Sequence, residues 1–468
     1  MNRHLILAIF ILGWSQSFVV ALEQPPNIIF LMTDDQRWDS LGCMGNEIIK
    51  TPNIDTMAKR SVIFDEAFTT TPICMTSRAC VFTGQYAARH KIWDFKTDLT
   101  ADQLANTYLG KLKSAGYRTG FIGKWGIGHP RQANSILDYH KGFPGQSHYF
   151  KKGTDPKLKQ GRHLTARMGD QALKFIEGCT KEQPFHLSIS FKAPHCQDSM
   201  DLNSDQFPSD KALADLYGDI TIKPPETAAN HFHESMPDFM KTGMNRKRWE
   251  VRFRSPERYQ KSVKDYYRLI TGVDATVGRI REKLEQAGMS DNTIIIFTSD
   301  HGFFLGEYGF AGKWLPHDVS IRVPLIIHDP RDASVQGNRS DAMALLIDMA
   351  PTILDFAGVE SPEGMQGKSL RSVLAGQTPA DWRDSFFYEH LFSAGDLIAP
   401  TEGVRNGRWK YGRYLVPSKV KAGKSRWEEL YDLKNDPQEK NNLAQNSEFK
   451  KQLKVMRQKW KKLRQEVK

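Results

Sequence analysis

Two apolar runs, far apart in the chain, each end in acidic residues, and they restrict the possible fold more than any other feature. Asn27-Ile28-Ile29-Phe30-Leu31-Met32 leads into Thr33-Asp34-Asp35, and Thr293-Ile294-Ile295-Ile296-Phe297-Thr298 leads into Ser299-Asp300-His301-Gly302. Neither run alternates polar with apolar. Each therefore reads as a strand covered on both faces, the condition of a parallel strand with helices on either side. Further strands are expected at 117–122, 185–191 and 321–327, with helices at 101–114, 164–178 and 257–286. The last helix carries a core stripe through Val263, Tyr266, Ile270, Val273, Val277, Ile280 and Leu284, and Gly288 stops it. From about 384 the chain changes to aromatic and charged alternation, with a hairpin turn signal at 405–408. The expected fold is α/β: a large, mostly parallel central sheet flanked by helices, followed by a smaller antiparallel-sheet subdomain with a closing basic helix. The expected divisions are 1–21, 22–383 and 384–468.

Open parallel sheets bind ligands at the carboxyl ends of their strands. Asp34, Asp35, Asp300 and His301 are expected there, and their oxygens suit a hard divalent cation such as Ca²⁺ or Mg²⁺. Lys124, flanked by Gly123 and Gly126, follows the 117–122 strand, and Lys192-Ala193-Pro194-His195 follows the 185–191 strand. Read singly, such a Lys is as readily a surface residue, and such a His more often structural. The stretch Cys74-Met75-Thr76-Ser77-Arg78-Ala79-Cys80-Val81-Phe82-Thr83-Gly84 places a nucleophilic side chain at a helix start, where free backbone N–H groups favour an anion. Arg78 adds a permanent cation with a planar fork.

Across 468 residues the formal net charge is +11. Together with a pI near 9.2, that implies a polyanionic partner. Basic residues concentrate at 241–254 and at 450–468, the second of which reads as a solvated helix face. The N-terminus carries Arg3, an apolar run from Leu5 to Leu12 and small residues before Ala21, the pattern of a secretory signal cleaved near Ala21. No stretch is long and apolar enough for a membrane span. Export disfavours nucleic acid as that partner. It also places Cys43, Cys80, Cys179 and Cys196 where disulfides are permitted, with three pairings open. A lone glycosylation sequon, Asn338-Arg339-Ser340, tilts the reading toward a bacterial periplasmic or secreted protein.

The Cys74 stretch resembles the C-x-P-S-R-x-x-x-x-T-G signature of the type I sulfatases, matched at Cys74, Ser77, Arg78, Thr83 and Gly84, with Thr76 departing from it. Gly123-Lys124-Trp125-Gly126 resembles that family's G-K-W-H-x-G, with Gly126 where the family has His. Ala193-Pro194-His195, Ser299-Asp300-His301-Gly302, the segment ending in Lys313, Arg322-Val323-Pro324-Leu325 and Asp436 to Ala444 resemble further family segments in the family's order.

The resemblance implies an alkaline-phosphatase-like fold and a sulfuric ester hydrolase acting on a sulfated carbohydrate. It implies that a maturation enzyme converts Cys74 to formylglycine, and that Asp34, Asp35, Cys74, Asp300 and His301 hold one cation, calcium ahead of magnesium. It implies that Arg78, Lys124 and Lys313 neutralise the sulfate while His195 protonates the departing sugar oxygen. His129 is the candidate to replace the His absent at Gly126, and His317 a candidate sugar contact. Two rivals stay open: a phosphate or phosphonate ester hydrolase of the same fold, and a catalytically silent binder of sulfated glycans.

Overall fold

In the computed structural model, residues 24–150, 161–333, 336–420 and 423–468 are described. The proposed signal, 1–21, lies outside them. The two apolar runs form neighbouring strands at the centre of the molecule. Eight strands make the central sheet: β1 (Asn27–Asp34), β2 (Val62–Phe64), β3 (Arg118–Lys124), β4 (Tyr139–Phe143), β5 (Phe185–Pro194), β6 (Thr293–Ser299), β7 (Leu325–His328) and β8 (Asn338–Ser340). Their order is β8-β2-β7-β6-β1-β5-β3-β4. All neighbours are parallel except β7, which runs antiparallel to both β2 and β6.

The longer helices are α1 (Pro52–Ala58), α2 (Cys74–Thr83), α3 (Tyr108–Ser114), α4 (Leu164–Glu177), α5 (Met244–Arg252), α6 (Pro256–Gln286), α7 (Met349–Phe356) and α8 (Lys450–Glu466). Every residue of β1 is buried, and successive side chains enter two different cores. Ile29 and Leu31 join Leu187, Phe175, Val273 and Val277 under α4 and α6, while Ile28, Phe30 and Met32 join Phe82, Tyr108, Leu109 and Ile353 under α2, α3 and α7. That double cover is why the run needs no polar alternation. Residues 385–432 form a four-stranded antiparallel sheet, β9 (Ser385–His390), β10 (Thr401–Asn406), β11 (Trp409–Leu415) and β12 (Ser425–Asp432), with α8 packed on it.

One expectation changes. The helix expected at 101–114 is broken into Ala101–Ala105 and α3, because Thr107 caps the second piece: its hydroxyl accepts the Gly110 N–H at 3.1 Å. The aperiodic stretch 198–255 holds short helices, among them α5, whose Arg252 is fully buried. All five cysteines are free thiols; Cys80 lies against His90 at 3.3 Å instead of another sulfur.

Candidate active site

Strand register brings the acids together. On β1, Asp34 lies opposite Pro194 of β5, and Thr33 opposite Ser299 of β6, so Asp34, Asp35, His195 and Asp300 emerge at one level. β3 pairs Gly123 with Ser190, which sets Lys124 at the same edge. Asp35 leaves the strand with a left-handed φ of 67°, accepted by few non-glycine residues outside functional sites. Helix α2 starts at Cys74 directly above these strand ends, with an extended N-cap at Ile73 and no side chain capping its N–H groups. Ser77 anchors its first turn by donating to the Asp300 carbonyl at 2.6 Å.

The Cys74 thiol is the meeting point. Its Sγ is 3.4 Å from Asp34 Oδ1, 3.4 Å from His301 Nε2 and 3.3 Å from Lys313 Nζ. Arg78 is fully buried; its Nη2 donates to Asp300 Oδ2 at 2.9 Å and Asp34 Oδ2 at 3.2 Å, and its Nη1 to the Lys124 carbonyl at 2.9 Å. Nη1 also donates to Ser190 Oγ, and Lys124 Nζ to Asp34 Oδ2. Lys313 Nζ donates to Asp35 Oδ1 at 2.6 Å. His195 Nδ1 donates to the Cys196 carbonyl at 2.7 Å, which leaves Nε2 facing Gln146 Nε2 at 3.0 Å and Asp35 Oδ2 at 3.4 Å.

Burial alone pushes the Asp34 carboxyl up, but the fields of Lys124, His195 and Arg78 outweigh it, and the group ends well below its ordinary value. At Asp35 burial wins over Lys313 and His301, and the carboxyl is raised. Burial lowers His195 and His301. Asp35 Oδ2 is buried with no hydrogen-bond partner, and such an orphan oxygen calls for a cation. Ligand atoms of Asp34, Asp35, Cys74 and His195, and of Asp34, Cys74, Asp300 and His301, lie within 4.8 Å of one another. The two groups share Asp34 and Cys74, and their carboxylates and imidazoles are donors that suit a divalent ion.

Of the residues read from the sequence, Cys74, Arg78, Lys124, His195, Lys313, Asp34, Asp35, Asp300 and His301 gather here. His129 does not. It is exposed, and its Nδ1 accepts the Arg131 N–H at 3.1 Å, capping a short 3-10 helix. His317 is also elsewhere: 1% exposed, it packs among Tyr308, Phe304 and Tyr431, and burial lowers it to about 3. Gln146, Ser190 and Asp198 were not read as site residues. They sit on loops or alternate faces with no local pattern to mark them.

Comparison with known proteins places the chain among the sulfuric ester hydrolases. The sulfatase family model matches residues 26–359, and the chain belongs to that family. A second family model, the C-terminal part of N-sulphoglucosamine sulphohydrolase, matches residues 306–466. The chain is 31% identical to an N-acetylglucosamine-6-O-sulfatase of Bacteroides thetaiotaomicron, over 92% of this chain and 85% of that one. It is 26% identical to an ulvan-active sulfatase of Formosa agariphila, over 91% and 78%. A solved structure of a protein in complex with its substrate D-glucosamine-2-N,6-O-disulfate superposes with a TM-score of 0.79 at 27% identity, covering 95% of this chain and 98% of that one. A phosphonate monoester hydrolase of Agrobacterium radiobacter shares the fold, with a TM-score of 0.76 at 22% identity, covering 95% and 96%.

Proposed function

We propose that this sulfatase is exported to the periplasm or beyond and removes sulfate from a sulfated sugar, with formylglycine made from Cys74 as nucleophile. The observation that carries the reading is the Cys74 side chain itself, held at a helix start against Asp34, His301 and Lys313 at 3.3–3.4 Å. Asp34, Asp35, Asp300 and His301, with the oxygen that replaces the Cys74 sulfur, would hold one divalent ion, calcium by family likeness, which supplies a Lewis acid for a sulfate oxygen. The aldehyde hydrate supplies the attacking oxygen.

This chain's own residues do the rest. Arg78, Lys124 and Lys313 bind the sulfate oxygens and neutralise the charge that grows on them, in a buried site where such contacts are strong. His195, its ring fixed by the Nδ1–Cys196 bond, would act as the imidazolium, giving the proton on Nε2 to the departing sugar oxygen and keeping the one on Nδ1. Position 126 carries no side chain and His129 points away, so His195, in contact with Cys74, is also the imidazole placed to take a proton back in the second half of the cycle. Relatives that act on sulfated glucosamine make that sugar the first substrate to try.

A mass spectrum of the Cys74 peptide from protein made in its native host tests the nucleophile. Replacement of the thiol by an aldehyde oxygen is expected, with converted protein releasing sulfate from sulfated glucosamine or another sulfated sugar. An intact thiol in protein that still releases sulfate would overturn the mechanism. Faster turnover of 4-nitrophenyl phosphate than of 4-nitrophenyl sulfate would transfer the site to phosphate esters.

A further inference from the structure

The segment 198–255 contributes a cation to the leaving-group side of the site. Arg248, on α5, lies between the two halves of the proposed machinery. Its Nη2 pairs with Asp198 Oδ1 at 2.9 Å, and Asp198 Oδ2 stands 3.6 Å from His195 Nε2. On its other side the guanidinium lies over the Trp314 ring, 4.6 Å from the centroid, next to Lys313 in the chain. Gly312 lies against the same side chain: a Cβ there would be in ordinary contact with Arg248 Cδ and Nη1, at 3.6 and 3.7 Å. Arg248 thus sits where the sugar, not the sulfate, would leave.

Two features show that its bonding is unfinished. Arg248 Nη1 is buried and has no hydrogen-bond partner, and neither does Nη1 of the neighbouring Arg252. The charges around His195 are also out of balance. Lys192, Arg248 and Arg252 face one carboxylate, Asp198, among the described residues, because Arg252 shares the same Asp198 oxygen at 3.3 Å while Lys192 bonds only the Ser147 carbonyl and the Gln197 amide oxygen. Asp198 itself holds a left-handed φ of 56°, a conformation imposed by the surrounding contacts. In the inner site, by contrast, Arg78, Lys124 and Lys313 are matched by Asp34, Asp35 and Asp300.

We propose that Arg248 is a specificity-determining residue that binds a second anionic group of the substrate, a sulfate or a carboxylate, close to the ester being cleaved. The planar guanidinium is held by Asp198 and Trp314 and leaves Nη1 uncommitted for that group. This rests on the sulfatase reading and narrows its substrate to a doubly anionic sugar unit.

The test uses full-length, converted protein and follows 4-nitrophenyl sulfate hydrolysis. N-acetylglucosamine 6-sulfate, glucosamine 2-N,6-O-disulfate and a uronate-linked N-acetylglucosamine 6-sulfate are added as substrates and as competitors. A wild-type preference of about tenfold or more for a doubly anionic sugar over the singly charged one is expected, expressed in KM or the inhibition constant, as for a desolvated charge pair. Whichever doubly charged sugar shows it, disulfate or uronate, identifies the second anion. Arg248→Gln is expected to bring the ratio close to one, and Arg248→Lys to restore most of it, with melting temperatures confirming that both variants fold. Equal competition by singly and doubly charged sugars, or a loss in Arg248→Gln that falls alike on every ligand, overturns the proposal. Absence of 4-nitrophenyl sulfate turnover in converted protein would strike the sulfatase reading instead.

Discussion

Gly126 occupies the position where the sulfatase pattern has a histidine, and the structure shows why no side chain fits. Its φ is +78°, and a Cβ there would stand 2.5 Å from Arg78 Cδ and 3.1 Å from Arg78 Nε. Gly126→Ala therefore incurs two costs. A non-glycine residue in the left-handed region costs about 1 kcal/mol. To reach ordinary contact Arg78 must also retreat by about 1 Å, yet its guanidinium is tied to Asp300 at 2.9 Å, Asp34 at 3.2 Å and the Lys124 carbonyl at 2.9 Å. Losing one such charge-assisted bond costs about 2 kcal/mol. The sum, about 3 kcal/mol, predicts a fall of several degrees in melting temperature. If Arg78 binds sulfate as proposed, misplacing it by that distance predicts about a hundredfold loss in kcat/KM. Calorimetry and 4-nitrophenyl sulfate kinetics on the same preparation read both. A Gly126→Ala protein with wild-type melting and kcat/KM within twofold would refute the idea that a fixed Arg78 excludes a side chain here.

Two further outcomes follow from the geometry. His195→Ala should slow release from a sugar sulfate by about 10²–10⁴-fold, the usual worth of a general acid. It should slow 4-nitrophenyl sulfate far less, since that leaving group needs no proton; equal losses on both would remove His195 from the acid role. Glu389, buried on β9 opposite Glu402 and accepting the Ala88 N–H, is raised from 4.5 to about 8, chiefly by burial. Such a carboxyl is neutral in the fold while ionised in the unfolded chain, so its contribution to stability is complete below pH 4.5 and is lost as pH rises to about 8. Glu389→Gln, which keeps the acceptor, should flatten denaturant-measured stability across that window by on the order of 4 kcal/mol. Glu429, also raised to about 8, leaves a residual slope. A variant with the wild-type pH profile would contradict the assignment.

Much of the site was legible because its residues follow strands whose composition announces them. Asp34 and Asp300 end unbroken apolar runs, and a doubly covered parallel strand has its functional end at its carboxyl terminus, so run and acid identify each other. The Cys74 stretch was legible for a local reason as well, since a helix start needs only its own backbone to attract an anion. The four-stranded sheet announced itself by its aromatic alternation and by the turn at Gly407-Arg408 between β10 and β11. The break at Thr107 was missed because apolar spacing continues across it while a single hydroxyl bond decides it.

The order of strands, and everything that depends on it, belongs to the tertiary structure. Covalent sequence and local periodicity determined that this chain has buried parallel strands ending in acids, a helix-start thiol and a cation near each. They could not say that β5, β1 and β6 lie side by side in a register that levels Asp34 with Pro194, because pairing depends on helices and strands more than a hundred residues apart. For the same reason His129 and His317 stood as candidates beside His195. An imidazole's reach is decided by where its backbone is anchored in space, and only packing turned one toward Asp35 and left the others capping a turn or filling a core. Arg248 is the clearest case. Its helix has no core periodicity of its own, and its place beside the site exists only because Asp198 and Trp314, 50 and 66 positions away, are folded to either side of it.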